Sequence, residues 1–447
     1  MRHRLRKVSR LIVSSLGRRR LYRDALNQLW PLLRPAAELH RRTMASRVRV
    51  IAVVGSFGKT TTTAAVAGAL GGSADRRRGN AWGKLALQVL RLRPWERHAV
   101  FEAGIDGKGQ MIQYAGMMRP DVVVVTAIGS EHNRSLGSLE NTRDEKAQML
   151  RGLRQGGIAV LNGDDPHVRA MAAMTEARVV TFGLGPDNDV RASGVRLDWP
   201  HGTRLTVHVG GAARELRVRL LGRVMAYPVL GAVAVAWAEG RPLDEVAAAL
   251  EALPPRPGRL QPVPLPNGAW LIQDDFKSAV ETIDAALDVL AEVPGRRIVV
   301  LGEISEPPGS AGPHYRHIGE RLAAVASRVV VVGGQRTFRG YAAAATRAGL
   351  PREALVSAGR SVMAAAQAVE ADLRAGDVIL IKGRDTQRLD RVALALQGRM
   401  VGCRIEVCPI RGISICSRCE TCPMLERGWQ TASPWPGQPV EEPAPTP

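Results

Sequence analysis

An apolar strand that leads directly into a glycine loop and a helix limits the possible folds of this chain more than any other feature. Residues 48–54 ("VRVIAVV") form a nearly continuous apolar run, which is typical of a parallel strand buried on both faces. The next six residues, 55–60, read "GSFGKT", and a helix-forming segment follows them. Glycines let backbone N–H groups approach an anion, and a helix N-terminus adds positive potential. The stretch therefore predicts a phosphate-binding loop in an α/β sheet.

The loop is shorter than the common phosphate-binding loop, since only two residues separate its glycines instead of four. In this context Lys59 would reach the terminal phosphates of a nucleotide, and Thr60 would offer its hydroxyl to Mg²⁺. The simpler alternative is a tight strand–helix turn whose lysine has no role in binding a phosphate. The predicted nucleotide-binding residues of the loop are Gly55, Ser56, Gly58, Lys59, Thr60 and Thr61.

Strands and helices alternate along most of the chain, which predicts an α/β fold. We expect a P-loop central domain with a mostly parallel sheet, followed by a C-terminal Rossmann-like α/β domain. Residues 200–221 alternate polar and apolar side chains and predict an antiparallel hairpin. The predicted divisions are a basic helical segment (1–48), the central domain (49–255), the C-terminal domain (256–402), a cysteine-rich segment (403–426) and a disordered proline-rich tail (427–447).

Basic charge is concentrated at the start of the chain. The net charge is +20, and residues 1–47 contain thirteen Arg or Lys against two Asp or Glu. Such a segment predicts either peripheral contact with an anionic membrane or nucleic acid, or simply solvated helices, which we expect to break near Pro31 and Pro35. Nucleic-acid binding is the less favoured role because aromatic residues make up only 4% of the chain. No apolar run approaches a membrane span, so we expect a cytoplasmic protein.

Lysine is scarce, although the chain is strongly basic. Only seven of its 62 basic residues are lysines, and the rest are arginines. A lysine kept in such a chain is a candidate for work that arginine cannot do, such as placing a compact ammonium among phosphates or losing a proton. Lys59 in the loop and Lys146, in a helix beside Glu145, are candidates of this kind. His132 precedes Lys146 by 14 residues, and Glu102 ends an apolar strand where a carboxylate suits Mg²⁺.

All five cysteines lie between residues 403 and 422. A secreted protein stapled by disulfides would spread its cysteines through the fold. Four of these cysteines are spaced C-x₇-C-x₂-C-x₂-C, which fits a tetrahedral Zn²⁺ site, an iron–sulfur cluster or a set of free thiols. The four predicted ligands are Cys408, Cys416, Cys419 and Cys422.

Several ordered motifs resemble the Mur ligase family, whose members form amide bonds with ATP in peptidoglycan assembly. "GSFGKTTT" is similar to the family's Gly-x-x-Gly-Lys-Thr loop, and "FEAGIDGKGQM" resembles its magnesium-binding strand. "VLNGDDP" and "PRPGRLQ" resemble an adenine-proximal turn and the interdomain linker. The segments "LGEISEPPG" and "VILIKGRDTQRLD" are most similar to the D-alanyl-D-alanine-adding branch. The similarity covers roughly residues 49–400.

The resemblance implies roles for individual residues. Glu102 would bind one magnesium ion, and His132 with a carbamylated Lys146 would serve a second. In the C-terminal half Arg259 would reach the γ-phosphate, and Lys277 would lie near the transferred phosphoryl group. The remaining implied nucleotide-binding residues are Asn162 near the adenine, Asp275 at the ribose, and Lys382.

The implied activity is an ATP-dependent ligase that activates a substrate carboxylate as an acyl phosphate for attack by an amine. The cofactors would be ATP and Mg²⁺, and the substrates would be a carboxylate and an amine. Only 47 residues precede the strand that leads into the loop, so we expect the family's N-terminal UDP-substrate domain to be lacking. Val224 and Pro228 stand where the resemblance predicts histidine and asparagine. The alternative function is a P-loop ATPase that acts as a nucleotide-dependent scaffold at membrane or nucleic acid.

Overall fold

The computed structural model describes residues 15–72, 79–130, 133–401, 403, 406 and 416. The chain divides into two compact units. The central unit spans Leu21–Pro255, and the C-terminal unit begins at Arg256. None of the described helices combines the length and the apolar character that crossing a bilayer requires.

Two helices, α1 (Ser15–Gln28) and α2 (Trp30–Arg42), precede the first strand. The predicted break near Pro31 is confirmed, because the two helices meet at Leu29, whereas the predicted break near Pro35 is wrong. Pro31 lies in the first turn of α2, where a missing N–H costs nothing. Pro35 lies inside the helix, which continues because Trp30 and Arg41 pack into the central unit on either side of it.

The central unit is built on an eight-stranded sheet of order β2-β1-β3-β4-β5-β6-β7-β8. The pairs from β2 through β6 are parallel, and the last two pairs are antiparallel. The strands are β1 (Arg49–Val54), β2 (His98–Glu102), β3 (Val122–Val125), β4 (Ile158–Asn162), β5 (Arg178–Gly183), β6 (Val190–Asp198), β7 (Gly202–Val209) and β8 (Ala212–Val218). The predicted hairpin is β7–β8.

Helices cover both faces of this sheet, as the buried valine-rich strands require. On one face α3 and α9 pack against β1, β3, β4 and β5. The opposite face is covered by α2, α4 and α5, so α2, a helix of the basic segment, contributes to a core. The helices are α3 (Lys59–Ala69), α4 (Trp82–Leu90), α5 (Gln110–Met118), α6 (Asn133–Leu136), α7 (Leu139–Ala147), α8 (Pro166–Arg169), α9 (Ala226–Ala238) and α10 (Leu243–Glu251).

The C-terminal unit has a six-stranded sheet of order β13-β12-β11-β14-β10-β9, parallel except for the edge strand β9. Its strands are β9 (Gln261–Pro264), β10 (Trp270–Asp274), β11 (Arg297–Leu301), β12 (Arg328–Val331), β13 (Leu355–Ser357) and β14 (Val378–Lys382). Its helices are α11 (Val280–Glu292), α12 (Ala311–Val325), α13 (Gln335–Arg347), α14 (Val362–Glu370) and α15 (Asp390–Leu396). In such sheets ligands bind at the carboxyl ends of the strands.

Candidate active site

The loop between β1 and α3 has a backbone that requires glycine at its first position. Gly55 and Gly58 have φ values of 141° and 77°. A Cβ on Gly55 would lie 2.0 Å from Thr126 Oγ1. That hydroxyl lies 3.2 Å from the Val54 carbonyl and 2.5 Å from the Phe57 carbonyl, so it ties the loop to the end of β3. The loop is therefore a preformed cradle at a helix N-terminus, which fits a phosphate group.

Two lysine amines converge on one carbonyl oxygen of this loop. Lys59 Nζ donates to the Gly55 and Ser56 carbonyls at 2.6 and 2.8 Å. Lys146 Nζ, from α7, donates to the same Gly55 oxygen at 2.9 Å. Lys59 is 8% exposed and Lys146 is 1% exposed. Burial and then the Lys59 ammonium hold the pKa of Lys146 well below its usual value, although Glu145 opposes them. Lys146 is therefore suited to carry a neutral amine.

Thr60 and Glu102 lie together beside the loop. Thr60 Oγ1 donates to Glu102 Oε2 at 2.7 Å, and Asn80 Nδ2 donates to the other carboxylate oxygen at 3.1 Å. A hydroxyl and a carboxylate are oxygen donors of the kind that Mg²⁺ prefers, so the pair fits this ion. Asn80 was not among the predicted site residues. Its place in the polar segment just before α4, inside "RGNAWGK", was the available signal.

Other predicted residues of the central unit lie around the segment that follows β3. The Ser56 N–H donates to the Ala127 carbonyl at 2.7 Å, and Asn162 Nδ2 donates to the Thr126 carbonyl at 2.8 Å. Thr61 is buried in the first turn of α3. His132 lies outside the described residues, and its role stays a prediction.

A cavity of about 500 Å³ opens beside the turn that follows Asn162. Arg169 and Arg223 contribute to its lining. Asp164, which also lines it, accepts hydrogen bonds from the Tyr227 hydroxyl at 3.1 Å and from two backbone N–H groups after β5. The wall is thus polar, hydrogen-bonded and partly cationic, which suits a nucleotide. Sequence reasoning missed Asp164 although it lies in the quoted "VLNGDDP".

In the C-terminal unit, β10 and β14 end side by side on a buried ion pair. Lys382 Nζ donates to Asp274 Oδ2 at 2.7 Å, and the two residues are partners in the strand register. Lys382 is 1% exposed. Asp274 therefore neutralises part of the charge of Lys382. The predicted contact of Lys382 with a nucleotide stays a prediction.

Arg259, Asp275 and Lys277 lie close together in the same unit. The turn at Gly258 approaches Asp275 so closely that a Cβ there would lie 2.6 Å from Asp275 Oδ1. Arg259 stacks over the Phe276 ring, with 4.7 Å between the guanidinium carbon and the ring centroid. Asp275 is buried and Lys277 is half-buried. The structure thus brings Arg259 next to the segment that carries Asp275 and Lys277, which lies 16 to 18 positions further along the chain.

Asp275 has a strongly shifted titration. Burial, followed by the charge of Asp390, raises the pKa of Asp275 to about 7, although Gln273 donates a hydrogen bond at 3.1 Å to its carboxylate. Asp390 begins α15 and is 115 positions away in the sequence, so the pairing of the two carboxyls could not be predicted. An acid with a raised pKa destabilises the fold where it must ionise.

We expect Asp275→Asn to change the pH dependence of stability. The unfolded carboxyl titrates near pH 4 and the folded one near 7, so the wild type loses up to about 4 kcal/mol between these values. Asparagine cannot ionise. The melting temperature of the variant should therefore rise relative to that of the wild type as the pH increases from 5 to 8. Differential scanning fluorimetry measures this, with exposed Asp187→Asn as the control. Parallel pH curves for variant and wild type would contradict the assignment.

Two of the predicted cysteine-segment residues are anchored on α15. The Cys416 N–H donates to Asp390 Oδ2 at 2.7 Å, and Arg391 Nη1 lies 3.0 Å from the Cys403 sulfur. The predicted ligands Cys408, Cys419 and Cys422 lie outside the described residues. Within the described part of the chain, no group of three or more His, Cys, Asp or Glu side chains is placed to hold a metal ion.

A glycine cradle at a helix N-terminus, with buried lysines and a hydroxyl–carboxylate pair beside it, defines a nucleotide-binding α/β enzyme of the phosphate-loop class. The Mur ligase middle domain model matches residues 53–236, and the model for the Mur ligase, glutamate ligase domain matches residues 258–384. The chain belongs to the Mur ligase family, and the predicted fold class and enzyme class, an ATP-dependent ligase, are confirmed.

Relatives agree with this assignment. The chain is 32% identical over 395 residues to the UDP-N-acetylmuramoyl-tripeptide–D-alanyl-D-alanine ligase of Mycobacterium tuberculosis, which covers 82% of this chain and 76% of the relative. The enzyme of the same name from Escherichia coli is 28% identical over 356 residues, with 78% and 77% covered. The predicted likeness to the D-alanyl-D-alanine-adding branch is therefore confirmed.

Solved structures share the fold. MurF from Acinetobacter baumannii superposes with a TM-score of 0.71 at 23% identity, covering 84% of this chain and 81% of that one. The MurF ligase of Thermotoga maritima in complex with ADP gives 0.70 at 20% identity, with 83% of each chain covered.

Proposed function

We propose that the chain joins a substrate carboxylate to an amine at the expense of ATP, in the synthesis of a cell-wall peptide. The lysine pair on the Gly55 carbonyl, next to Thr60 and Glu102, is the observation that carries this proposal. The site combines a phosphate-binding lysine, Lys59, with a second buried amine, that of Lys146, which a simple phosphate loop does not need. The names of the relatives support D-alanyl-D-alanine or a similar dipeptide as the amine. The scaffold alternative is not favoured, because the relatives are ligases.

In the proposed reaction a carboxylate oxygen attacks the γ-phosphorus, and the bond to ADP breaks. The Lys59 ammonium, held at the mouth of the loop, stabilises the charge that spreads over the transferred phosphoryl oxygens. The amine then attacks the acyl carbon, phosphate leaves, and a proton is released. Mg²⁺, held by Thr60 and Glu102, would supply further charge neutralisation. The loop and the N-terminus of helix α3 would orient the phosphates.

Lys146 takes part, in this proposal, as a carbamate. Its amine is buried beside Lys59, and because two ammonium groups there would repel each other, the Lys146 amine is favoured in its neutral form. Capture of CO₂ by the neutral amine, with release of one proton, would place an anion beside the Lys59 ammonium and would add two oxygen donors beside the loop. The predicted partner of Lys146 at a second magnesium site is His132.

The C-terminal unit supplies the remaining proposed nucleotide contacts. Arg259 lies beside the segment that carries Asp275 and Lys277, which supports a shared role of the three residues in binding ribose and phosphate. Lys382 lies on the neighbouring strand β14 and forms an ion pair with Asp274. For the cysteine segment we retain the predicted Zn²⁺ or iron–sulfur site, for which the spacing of the four cysteines is the support.

Coupled measurement of ADP release tests the proposal. Purified protein is given ATP, Mg²⁺, a muramyl-tripeptide carboxylate donor, and either D-alanyl-D-alanine or no amine. We expect ADP release to require both the carboxylate and the amine and to match amide formation by mass spectrometry. A panel of other dipeptides and single amino acids defines the amine. ATP turnover that ignores every carboxylate and amine would support the scaffold alternative.

A further inference from the structure

Helix α2 exposes a continuous apolar stripe. Leu29, Leu32, Ala36 and Leu39 recur at intervals of three and four residues, which places them on one face of a helix. The leucines are 45%, 69% and 63% exposed, in chain order, and Met44 beyond the helix end is 62% exposed. Four large apolar side chains this exposed on 16 consecutive residues indicate an interaction surface.

The opposite face of α2 is fixed to the central unit, so the stripe is presented by a rigid helix. Arg41 is buried and donates to the carbonyls of Met118 and Ala45 at 2.8 and 2.6 Å and to the Asp121 carboxylate at 2.8 Å. Trp30 lies edge-on against Trp82 at a centroid distance of 5.5 Å. Because these contacts already bury the inner face, the outer leucines are not needed for the core.

Arginines surround the stripe on its own segment. Arg34, Arg42 and Arg47 are exposed there, and one of them, Arg42, pairs with Glu38. The surface is thus apolar along one line and cationic around it. This combination is typical of helices that lie in the interface of an anionic bilayer.

The loop after α4 adds a tryptophan and further arginines next to α2. His40 Nε2 lies 2.9 Å from the Leu92 carbonyl, which ties this loop to the helix beside the stripe. Trp95 is 74% exposed and carries Arg93 over its ring at 5.7 Å. Arg91 and Arg97 in the same loop are also exposed. Exposed tryptophan beside arginine is favoured at the headgroup level of a membrane.

We propose that the α2 stripe, with the Trp95 loop, docks the protein onto an anionic lipid bilayer. Six exposed arginines, Arg34, Arg42, Arg47, Arg91, Arg93 and Arg97, provide the charge complementarity, against two acidic residues, Glu38 and Glu96, in the same segments. A nucleic acid would match the arginines but leave the leucines without a partner. The surface is independent of the ligase chemistry, so a protein that fails as a ligase would still bind membrane.

Co-sedimentation of the full chain with lipid vesicles tests this surface. Binding is measured to phosphatidylcholine vesicles with and without phosphatidylglycerol. We expect binding that requires phosphatidylglycerol, weakens as salt rises, and falls at least tenfold in the Leu32→Glu/Leu39→Glu variant. Both leucines are exposed, so the variant should melt as the wild type does. Trp95→Ala should weaken binding by a smaller factor.

Met174→Glu is the matched control, since Met174 is an apolar residue of the central unit that is 42% exposed. It should bind vesicles as the wild type does. Three results would overturn the proposal: no binding to anionic vesicles, binding that the leucine variant retains, or a dimer of the wild type that the leucine variant abolishes. The second result would assign binding to the arginines without the leucine stripe, and the third would make the stripe an interface between protein chains.

Discussion

Lys59→Met should lower the rate of ATP turnover by roughly 10²- to 10³-fold or more while the protein remains folded. The ammonium of Lys59 is held by the Gly55 and Ser56 carbonyls at the mouth of the loop, where phosphate charge must be neutralised. Lys59→Arg should fail to restore the rate, because a planar guanidinium does not fit the compact position of an ammonium that is 8% exposed. Steady-state ADP release measures both variants.

Arg151→Met controls for the loss of one positive charge, because Arg151 is exposed on the same unit. Its turnover should match that of the wild type, and the melting temperatures of all three variants should show intact folding. If Lys59→Met keeps turnover within threefold of the wild type, the loop is not the phosphate-binding site. A loss of folding without a nucleotide effect would make the lysine a structural support of the loop.

Lys146→Arg should lower ligase activity at least about 100-fold, and the loss should not respond to CO₂. The wild-type enzyme should lose activity in buffer depleted of CO₂ and bicarbonate and regain it when bicarbonate is added. The physical reason is that a neutral amine, favoured by burial beside Lys59, is required to form the carbamate. Paired assays in depleted and bicarbonate-supplemented buffer measure the effect.

Lys84→Arg is a matched control, because it makes the same substitution at a half-buried lysine that is not assigned to the site. It should keep both the activity and the response to bicarbonate. Full activity of Lys146→Arg without CO₂ would refute the carbamate. Lys146→Ala separates the two roles, because the loss of a mere hydrogen bond to Gly55 would lower activity without removing the bicarbonate response.

Strands and most helices could be predicted from sequence, because their side-chain patterns are local. Runs such as "DVVVVT", short and rich in valine, are typical of buried parallel strands, and the alternation in residues 200–221 predicted a hairpin. The break predicted near Pro35 is wrong for a reason that is not local. Trp30 and Arg41 keep that helix intact around Pro35 through contacts with residues about 80 positions away.

Most residues of the candidate site could be predicted from the sequence, but their geometry could not. Lysine scarcity selected Lys59 and Lys146, but no pattern indicates that both donate to one carbonyl oxygen. Asn80 and Asp390 were missed, because a single polar residue carries no periodic signal. Each is important because the fold brings another side chain close to it. Asn80 lies next to Glu102, and Asp390 lies near Asp275.

The choice of arginine around the α2 stripe has a consequence for control in the cell. Guanidinium groups stay protonated at any physiological pH, and lysine acetylation cannot reach them. Attachment through this surface could therefore not be switched off by acidification or by acetyltransferases. Ionic strength, the anionic lipid content of the bilayer, or phosphorylation of a neighbouring hydroxyl such as that of Thr43 would be the available controls.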